Sequence, residues 1–195
     1  MENEALLKET YRYLGYRGGT PDEESDTLIR QCLQDVQEAA RPASAMRRVE
    51  VTWREQENTL DLGPICVQSK TLARHLRGCH HAVIFAATIG IEVDRMIKRA
   101  RIGGIAREAM LQAAGAAVVE EYCDRIEAQV IAEEKERGYI TRTRYSPGYG
   151  DFALEHQPEV LSLLNASKQA GITLTDGFLM IPSKSVTAVI GIADS

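Results

Sequence analysis

The feature that most constrains the fold is a long helical pattern over residues 104–136, which begins at Gly103-Gly104. Its first half is rich in alanine, and small side chains allow a helix to pack closely against a neighbouring layer. One apolar stripe then continues along the pattern through Leu111, Val118, Tyr122 and Ile126. We therefore expect one long helix that packs against a sheet.

Several segments predict the strands of that sheet. Residues 82–89 form a continuous apolar run that is typical of a central buried strand, and residues 185–192 form a strong final strand. Alternation over 47–54 predicts a half-exposed strand, which a turn at Glu57-Asn58 joins to a returning strand over 59–62. Helices and strands alternate too irregularly for a doubly wound parallel sheet. The pattern predicts an α+β fold, in which a mostly antiparallel sheet carries the long helix.

The N-terminal part, residues 1–45, has the pattern of two amphipathic helices. Thr20 and Glu23 match a capping box, in which Thr20 is the N-cap and Pro21 occupies the first helical position. We therefore predict an N-terminal helical segment over 1–45 and an α+β unit over 46–195, together as one compact domain.

Composition narrows the classes of function. The chain of 195 residues has 44% hydrophobic and 26% charged residues, which is typical of a globular domain. A net charge of −5 argues against nucleic acid as the main partner. No apolar run reaches the roughly 20 residues of a membrane span. Four scattered cysteines without a CxxC pair predict reduced thiols in a cytoplasmic protein, and they are Cys32, Cys66, Cys79 and Cys123.

Cys79-His80-His81 is the one run that invites a metal-site interpretation, with His75 one helical turn earlier. Neighbouring residues on a strand point to opposite faces, so three in a row converge poorly on one ion. We favour ordinary residues at a strand entry and predict no metal site.

The residues best suited to bind a ligand are concentrated in one turn, Arg144-Tyr145-Ser146-Pro147-Gly148-Tyr149-Gly150-Asp151. Arg144 offers a planar fork of donors that matches a carboxylate. Pro147 fixes the backbone, and Gly148 allows positive φ or a close approach to a ligand. Tyr149 can pack its ring on a flat group. The turn suits a ligand that is charged at one end and planar at the other, although Pro-Gly is first of all a turn dipeptide.

This turn, together with the downstream segment Leu174-Thr175-Asp176-Gly177-Phe178-Leu179-Met180-Ile181-Pro182-Ser183-Lys184-Ser185-Val186, resembles the activation domain of cobalamin-dependent methionine synthase. That family carries Arg-x-x-x-Gly-Tyr, followed by a Leu-Thr-(Glu/Asp) segment that runs into Met-x-Pro and a Ser-Val strand. Both blocks occur here in order. The resemblance is specific over 140–192 and diffuse over 80–140, and it implies a freestanding activation domain with an α+β fold.

The family binds S-adenosylmethionine and uses it to remethylate cobalamin whose cobalt has oxidised to Co(II). The resemblance implies that Arg144 holds the ligand carboxylate, and that the main chain of Tyr145, Ser146, Pro147, Gly148 and Tyr149 holds the adenine edge and the amino group. It implies that Tyr149 also lines the pocket. A glutamate of the long helix would offset the positive ligand, either Glu120, our choice, or Glu121.

The sequence has neither the Asp-x-His-x-x-Gly segment of cobalamin-binding modules nor the glycine-rich turn of a Rossmann methyltransferase. Cobalamin should therefore arrive on a partner, a cobalamin-carrying methionine synthase or corrinoid protein, with an electron from a flavodoxin- or ferredoxin-like donor. We expect no catalytic acid or base and little activity without the partner. Two alternatives remain, an activator of another corrinoid methyltransferase and a non-catalytic interaction protein.

Overall fold

The computed structural model describes residues 2–16 and 18–195, beginning with helices α1 (Glu2–Tyr13) and α2 (Glu23–Ala39). Asp22 caps α2, because its carboxylate accepts a hydrogen bond from the Ser25 N–H at 2.8 Å. The predicted N-cap at Thr20 is therefore wrong by two residues. A carboxylate at this position also interacts favourably with the helix dipole, which favours Asp22 over the threonine hydroxyl.

The sheet has six strands in the order β3-β2-β1-β4-β8-β5, and every neighbouring pair is antiparallel. This confirms the predicted α+β class with a large antiparallel sheet. A separate two-stranded hairpin joins β6 to β7. The strands are β1 (Ala43–Trp53), β2 (Thr59–Leu62), β3 (Ile65–Gln68), β4 (Cys79–Thr88), β5 (Tyr139–Thr141), β6 (Thr173–Leu174), β7 (Met180–Ile181) and β8 (Ser185–Asp194).

Helices cover both faces of the sheet. They are α3 (Lys70–His75), α4 (Ile91–Gly103), α5 (Ile105–Glu136), α6 (Gln157–Leu163), preceded by a 3₁₀ turn over Leu154–His156, and α7 (Ala166–Ala170). Successive residues of a strand point to opposite faces. Val83 and Phe85 of β4 accordingly pack with α5, whereas Ile84 joins the core beneath α3, α6 and α7. The long helix thus lies on one face of the sheet, as predicted.

Helices α1 and α2 pack on α5 and α4 through an apolar cluster of their own. Leu6, Ile29 and Leu33 meet Leu111 and Val118 of α5 in this cluster. A domain boundary at residue 45 stays a prediction, and β1 already begins at Ala43. Within the described residues, no helix combines the length and apolar character needed to cross a bilayer.

The outer edge of β8 is only partly covered. Strand β5 pairs with the last residues of β8, and Tyr145 then forms an isolated antiparallel bridge to Val189. Beyond that bridge, towards Ser185, no strand among the described residues pairs with the outer edge. The chain between β5 and α6 turns away from the sheet here and leaves a cleft beside β8.

Candidate functional site

The Arg144–Asp151 turn is closed by its own backbone. The Gly148 N–H donates to the Phe152 carbonyl at 2.7 Å, and the Phe152 N–H donates to the Tyr149 carbonyl at 3.1 Å. The Phe152 side chain is buried in the core and anchors the end of the turn. Gly150 has φ +58, and a Cβ there would lie 2.5 Å from the Thr71 hydroxyl oxygen. Glycine is therefore required at this position by conformation and by space.

Asp151 fastens the turn to the start of α3. Its carboxylate accepts from the Ser69 hydroxyl at 2.6 Å, from the N–H groups of Lys70 and Thr71 at 2.8 and 3.0 Å, and from the Thr71 hydroxyl. These hydrogen bonds, with the Ser69 and Thr71 side chains contributing most, hold the pKa of Asp151 well below its usual range. The sequence marked Asp151 only as the last residue of the turn.

Arg144 lies against three carboxylates of α5. Its guanidinium contacts Glu120 at 2.8 Å, Asp124 at 2.6 Å and Glu127 at 2.5 Å. Burial lowers the pKa of Arg144, but the hydrogen bonds to Glu120, Asp124 and Glu127 outweigh it and raise the pKa above its ordinary value. Arg144 is therefore a fixed cation at every accessible pH.

The three carboxylates share one side of α5 because they are spaced four and three residues apart. This spacing alone fits a solvated acidic face equally well. The structure turns the row towards Arg144, and the Glu127 side chain is only 14% exposed. Three carboxylates around one guanidinium leave negative charge in excess, so this end of the site favours a cationic group.

The turn forms one wall of a cleft of about 580 Å³. The opposite wall is the β6–β7 hairpin, and the floor is the open edge of β8 with the start of α6. One end is charged, and the remainder contains both apolar side chains and hydroxyl and amide groups. The lining residues are Glu120, Arg144, Tyr145, Ser146, Pro147, Tyr149, Leu154, Gln157, Phe178, Leu179, Met180, Ser183, Ser185, Val186 and Thr187.

The mouth of this cleft is apolar and open. Tyr149 on the turn and Leu179 on the hairpin are each 66% exposed, and both also line the cleft. Leu154 is another partly exposed lining residue. Two separate elements thus present apolar side chains around one opening, which is a common property of surfaces that meet another protein.

Of the residues predicted from the sequence, Arg144, Tyr145, Ser146, Pro147, Tyr149 and Glu120 all line the cleft. Gly148 lies in the same turn, at φ +94, and is not among the lining residues. Glu121 instead pairs with Arg125 at 2.8 Å, so Glu120 is the glutamate that faces the cleft. Whether these residues bind a ligand stays a prediction.

The sequence did not point to Gln157, Phe178 or Thr187 as lining residues. Phe178 adopts φ +61 in the hairpin turn, where the Thr175 N–H donates to the Leu179 carbonyl at 2.9 Å. Positive φ is costly for a bulky residue and tends to occur at functional sites. The only sequence signal was the preceding Asp176-Gly177 turn dipeptide.

A second, smaller cavity of about 350 Å³ lies between α1 and α5 and shares Glu120 and Arg144 with the cleft. Tyr13 of α1 lines it, and burial, followed by the nearby charge of Glu120, raises the pKa of the Tyr13 phenol. Helix α1 therefore belongs to the surroundings of the site, which the sequence did not predict.

The Cys79-His80-His81 run separates in space. Cys79 is buried in the core, whereas the His80 ring lies 3.9 Å from the Asp194 carboxylate at the surface. Among residues 2–16 and 18–195, no three histidine, cysteine, aspartate or glutamate side chains converge in the manner of metal ligands.

Comparison with known proteins bears on the fold and the family. Residues 37–194 match the family model described as vitamin B12 dependent methionine synthase, activation domain. The fold is similar to a crystal structure of the MetH reactivation domain bound to AdoHcy, with a TM-score of 0.69 and 15% identity over 97% of this chain and 74% of that one. No curated protein matches the chain. The family model covers most of the chain, including the long helix, the Arg144 turn and strand β8, and the chain therefore belongs to the vitamin B12-dependent methionine synthase activation domain family.

Proposed function

We propose that this protein binds S-adenosylmethionine in the cleft beside β8 and presents it for reductive remethylation of cob(II)alamin on a partner methionine synthase. This places the protein in methionine biosynthesis in the cytoplasm. The observation that carries the proposal is the meeting of Arg144, Glu120 and Tyr149 in one cleft within this family's fold. The MetH reactivation domain, which has a similar fold, was crystallised with AdoHcy, the demethylated form of the proposed ligand.

The charged end of the cleft fits the amino acid end of S-adenosylmethionine. Arg144 provides the planar fork for the carboxylate of the amino acid end. Asp124, whose side chain is 67% exposed, is the most exposed of the carboxylates that now contact Arg144. It is therefore the partner that a ligand carboxylate displaces at the smallest cost, while Glu120 and Glu127 keep the guanidinium in place.

The surplus negative charge around Arg144 matches the cationic groups of the ligand. S-adenosylmethionine carries an ammonium and a sulfonium beside its carboxylate. Glu120 lines the cleft and is 40% exposed on its side chain, so it can approach these cations without moving the helix. The apolar side chains farther along the cleft, among them Phe178 and Met180, cover the faces of the flat adenine.

This chain needs no acid or base for the proposed reaction. S-adenosylmethionine supplies the methyl group, the partner supplies the cobalamin, and a flavodoxin- or ferredoxin-like protein supplies the electron. The residues of the chain bind, orient and expose the ligand, so positioning is their contribution. The apolar mouth formed by Tyr149 and Leu179 gives the partner a surface that covers the site and excludes water.

Isothermal titration calorimetry with S-adenosylmethionine and S-adenosylhomocysteine tests the first half of the proposal. We expect binding of both, with dissociation constants up to the high micromolar range because the partner completes the site. The second half is tested by the visible spectrum of a cobalamin-carrying methionine synthase mixed with this protein, a reductant and S-adenosylmethionine. The cob(II)alamin band should disappear as methylcobalamin grows, and free cobalamin should not react at a useful rate.

The outcomes separate the alternatives. No binding up to millimolar ligand refutes the proposal and leaves a non-catalytic interaction protein. Normal binding with no reaction on methionine synthase, but reaction on another corrinoid protein of the same organism, assigns a different client. Methylation of free cobalamin without a partner contradicts the proposed division of labour.

A further inference from the structure

The corner between α4 and α5 concentrates positive charge in a chain whose net charge is −5. Residues 95–107 contain five arginine or lysine residues and no aspartate or glutamate. Arg95 pairs with Glu92 at 2.5 Å, and Arg107 pairs with Asp35 at 2.6 Å. The other three cations are exposed, and none of them contacts a carboxylate in the described part of the chain. They are Lys98, Arg99 and Arg101.

Two large apolar side chains lie at the same corner. Ile102, near the end of α4, is 91% exposed, and Ile105, at the start of α5, is 82% exposed. No other large hydrophobic side chain among the described residues is as exposed as these two. Single exposed apolar residues are common, but apolar side chains together with arginines form the composition that is enriched in protein interfaces.

Beside the corner, arginines from three separate parts of the chain line a cavity of about 610 Å³. Arg41 follows α2, Arg99 lies on α4 and Arg107 lies on α5. Apolar side chains such as Leu111 form part of the lining, and Glu92 is its acidic member among the described residues. The lining therefore carries three positive charges against one negative charge, which suits a group that is both acidic and partly apolar.

We propose that this surface docks an acidic segment of the cobalamin-carrying partner, and that the cavity receives carboxylate and apolar side chains of that segment. The identity of the partner rests on the proposed function. Planar guanidinium groups pair with carboxylates through two parallel hydrogen bonds, and the two isoleucines add apolar contact area. Arginines that line a recess can reach side chains that project from a protein, whereas the surface of a bilayer is flat on this scale. We call the surface the basic corner, and it comprises Lys98, Arg99, Arg101, Ile102, Ile105 and Arg107.

The basic corner lies away from the cleft beside β8. Arg107 and Glu120 are 13 positions apart on α5, which corresponds to about 20 Å along the helix axis. A partner held at the corner therefore leaves the mouth between Tyr149 and Leu179 open to its cobalamin. Docking at a second point raises the local concentration of cobalamin at the mouth, because the encounter there becomes intramolecular.

Charge reversal at the basic corner tests the proposal. Arg99→Glu combined with Arg101→Glu should weaken association with the cobalamin-carrying methionine synthase of the same organism at least about tenfold at low ionic strength. Biolayer interferometry measures this association. The difference from the wild type should shrink as salt is raised, because exposed charges are screened. Calorimetry with S-adenosylhomocysteine should give the wild-type affinity, since neither arginine lines the cleft.

The remethylation assay gives a second measurement. The double variant should need at least about tenfold more methionine synthase to reach half of the maximal rate, with the maximal rate itself unchanged. Arg74→Glu combined with Arg77→Glu is the matched control, because it reverses two exposed arginines at the end of α3, on the other face of the sheet. Its association and rate should follow those of the wild type.

Ile102→Ser combined with Ile105→Ser separates the apolar contribution from that of the charges. Association should weaken at low and at high salt alike, because salt screens charges and not apolar contacts. Thermal melts establish that the variants fold, and the substituted side chains are exposed and lie outside the core.

The possible outcomes distinguish the docking surface from the proposed function. If the wild type remethylates the synthase and the Arg99 and Arg101 double variant matches it in both assays, the docking surface is refuted and the proposed function stands. If the wild type associates through the corner but neither binds S-adenosylhomocysteine nor supports remethylation, the proposed function fails and the docking surface stands. A wild type that neither associates with the synthase nor remethylates it refutes both.

Vesicles of phosphatidylcholine with and without phosphatidylserine test the other class of acidic surface. We expect no binding of the wild type to either. Binding to the phosphatidylserine vesicles that the double variant loses, with association to the synthase unaffected, would assign the corner to an anionic membrane and overturn the proposal.

Discussion

Glu127 holds Arg144 by its main chain and by its side chain at the same time. One carboxylate oxygen accepts from the Arg144 backbone N–H at 2.9 Å, and the other accepts from Nη1 at 2.5 Å. The point at which the chain enters the turn and the direction of the guanidinium are thus set by one residue of α5. The geometry of the charged end of the cleft therefore depends on a residue that does not line it.

Glu127→Gln keeps the size of the side chain but leaves only one acceptor for two donors. Glu127 is largely buried, so we expect the free energy of unfolding to fall by about 1–3 kcal/mol, as for a lost hydrogen bond to a charged group. Urea denaturation measures this change. Glu133→Gln is the control, because Glu133 accepts a hydrogen bond from the exposed Gln129 and its loss should shift stability by less than about 0.5 kcal/mol. Equal effects of the two variants would argue against a special role for Glu127.

Substitutions of Arg144 test its role towards the ligand. Arg144→Lys keeps the charge but loses the planar fork, so S-adenosylhomocysteine should bind measurably more weakly. Arg144→Ala should cost about 2–4 kcal/mol of binding free energy, because it removes one partner of a charged hydrogen-bonded pair. Calorimetry measures both.

The control for Arg144 is Arg125→Lys, which changes an exposed arginine that pairs with Glu121 on the same helix. It should leave ligand binding unchanged. Wild-type affinity in both Arg144 variants would make Arg144 a structural residue and place the ligand carboxylate elsewhere.

Alanine substitutions at two glycines with similar backbone angles distinguish the cost of backbone strain from the cost of a steric clash. Gly171 has φ +67 with nothing within 4 Å of an added Cβ, whereas Gly150 has φ +58 with Thr71 at 2.5 Å. Gly171→Ala should cost about 1–2 kcal/mol from the left-handed backbone alone. Gly150→Ala should cost about 1–3 kcal/mol more, because it displaces Thr71 and the turn. If chemical denaturation gives equal losses, the turn is not packed against α3 as described.

The Asp151 interactions predict how stability depends on pH. The pKa of Asp151 is lowered by folding, so its contribution is present above the unfolded value near 4 and is lost as pH falls through the folded value. Asp151→Asn should therefore be less stable than the wild type at pH 5–7, and the difference should shrink below about pH 4. Urea denaturation across this range measures it.

Asp176→Asn is the control for the pH series, because Asp176 is exposed and bonds no group in the described part of the chain. Its stability should follow that of the wild type at every pH. A constant gap between the wild type and Asp151→Asn down to pH 3 would contradict the argument.

The regular elements could be predicted where one physical signal dominates. The apolar run gave β4 to within a few residues, and the helical pattern over 104–136 gave α5, which spans Ile105–Glu136. Residues 154–163 form a 3₁₀ turn followed by α6 and not one continuous α-helix. Pro158 lacks an N–H and fits an α-helix only in its first turn, and it lies there in α6, which begins at Gln157. Strand β3 (Ile65–Gln68) was not predicted from the sequence.

The site could be predicted only in part, because some of its contacts join residues that are far apart in the sequence. The turn residues are contiguous, so their chemistry could be recognised together. The contact of Arg144 with Glu127 depends on how the turn crosses α5, which no local pattern reports. Gln157 and Thr187 are 30 residues apart and meet only because α6 begins beside the open edge of β8.

Helix α5 also limits how the length of this protein can change. A residue inserted into an α-helix rotates everything after it by about 100°. One insertion between Glu120 and Glu127 would therefore carry the later carboxylates out of phase with the earlier one, and Arg144 would lose part of its pairing. Insertions at the Gly103-Gly104 corner before the helix, or at Gly138 after it, would not change the relative orientation of these carboxylates. We expect insertions and deletions in the evolution of this chain to accumulate at these two ends, with the interior of the helix held at constant length.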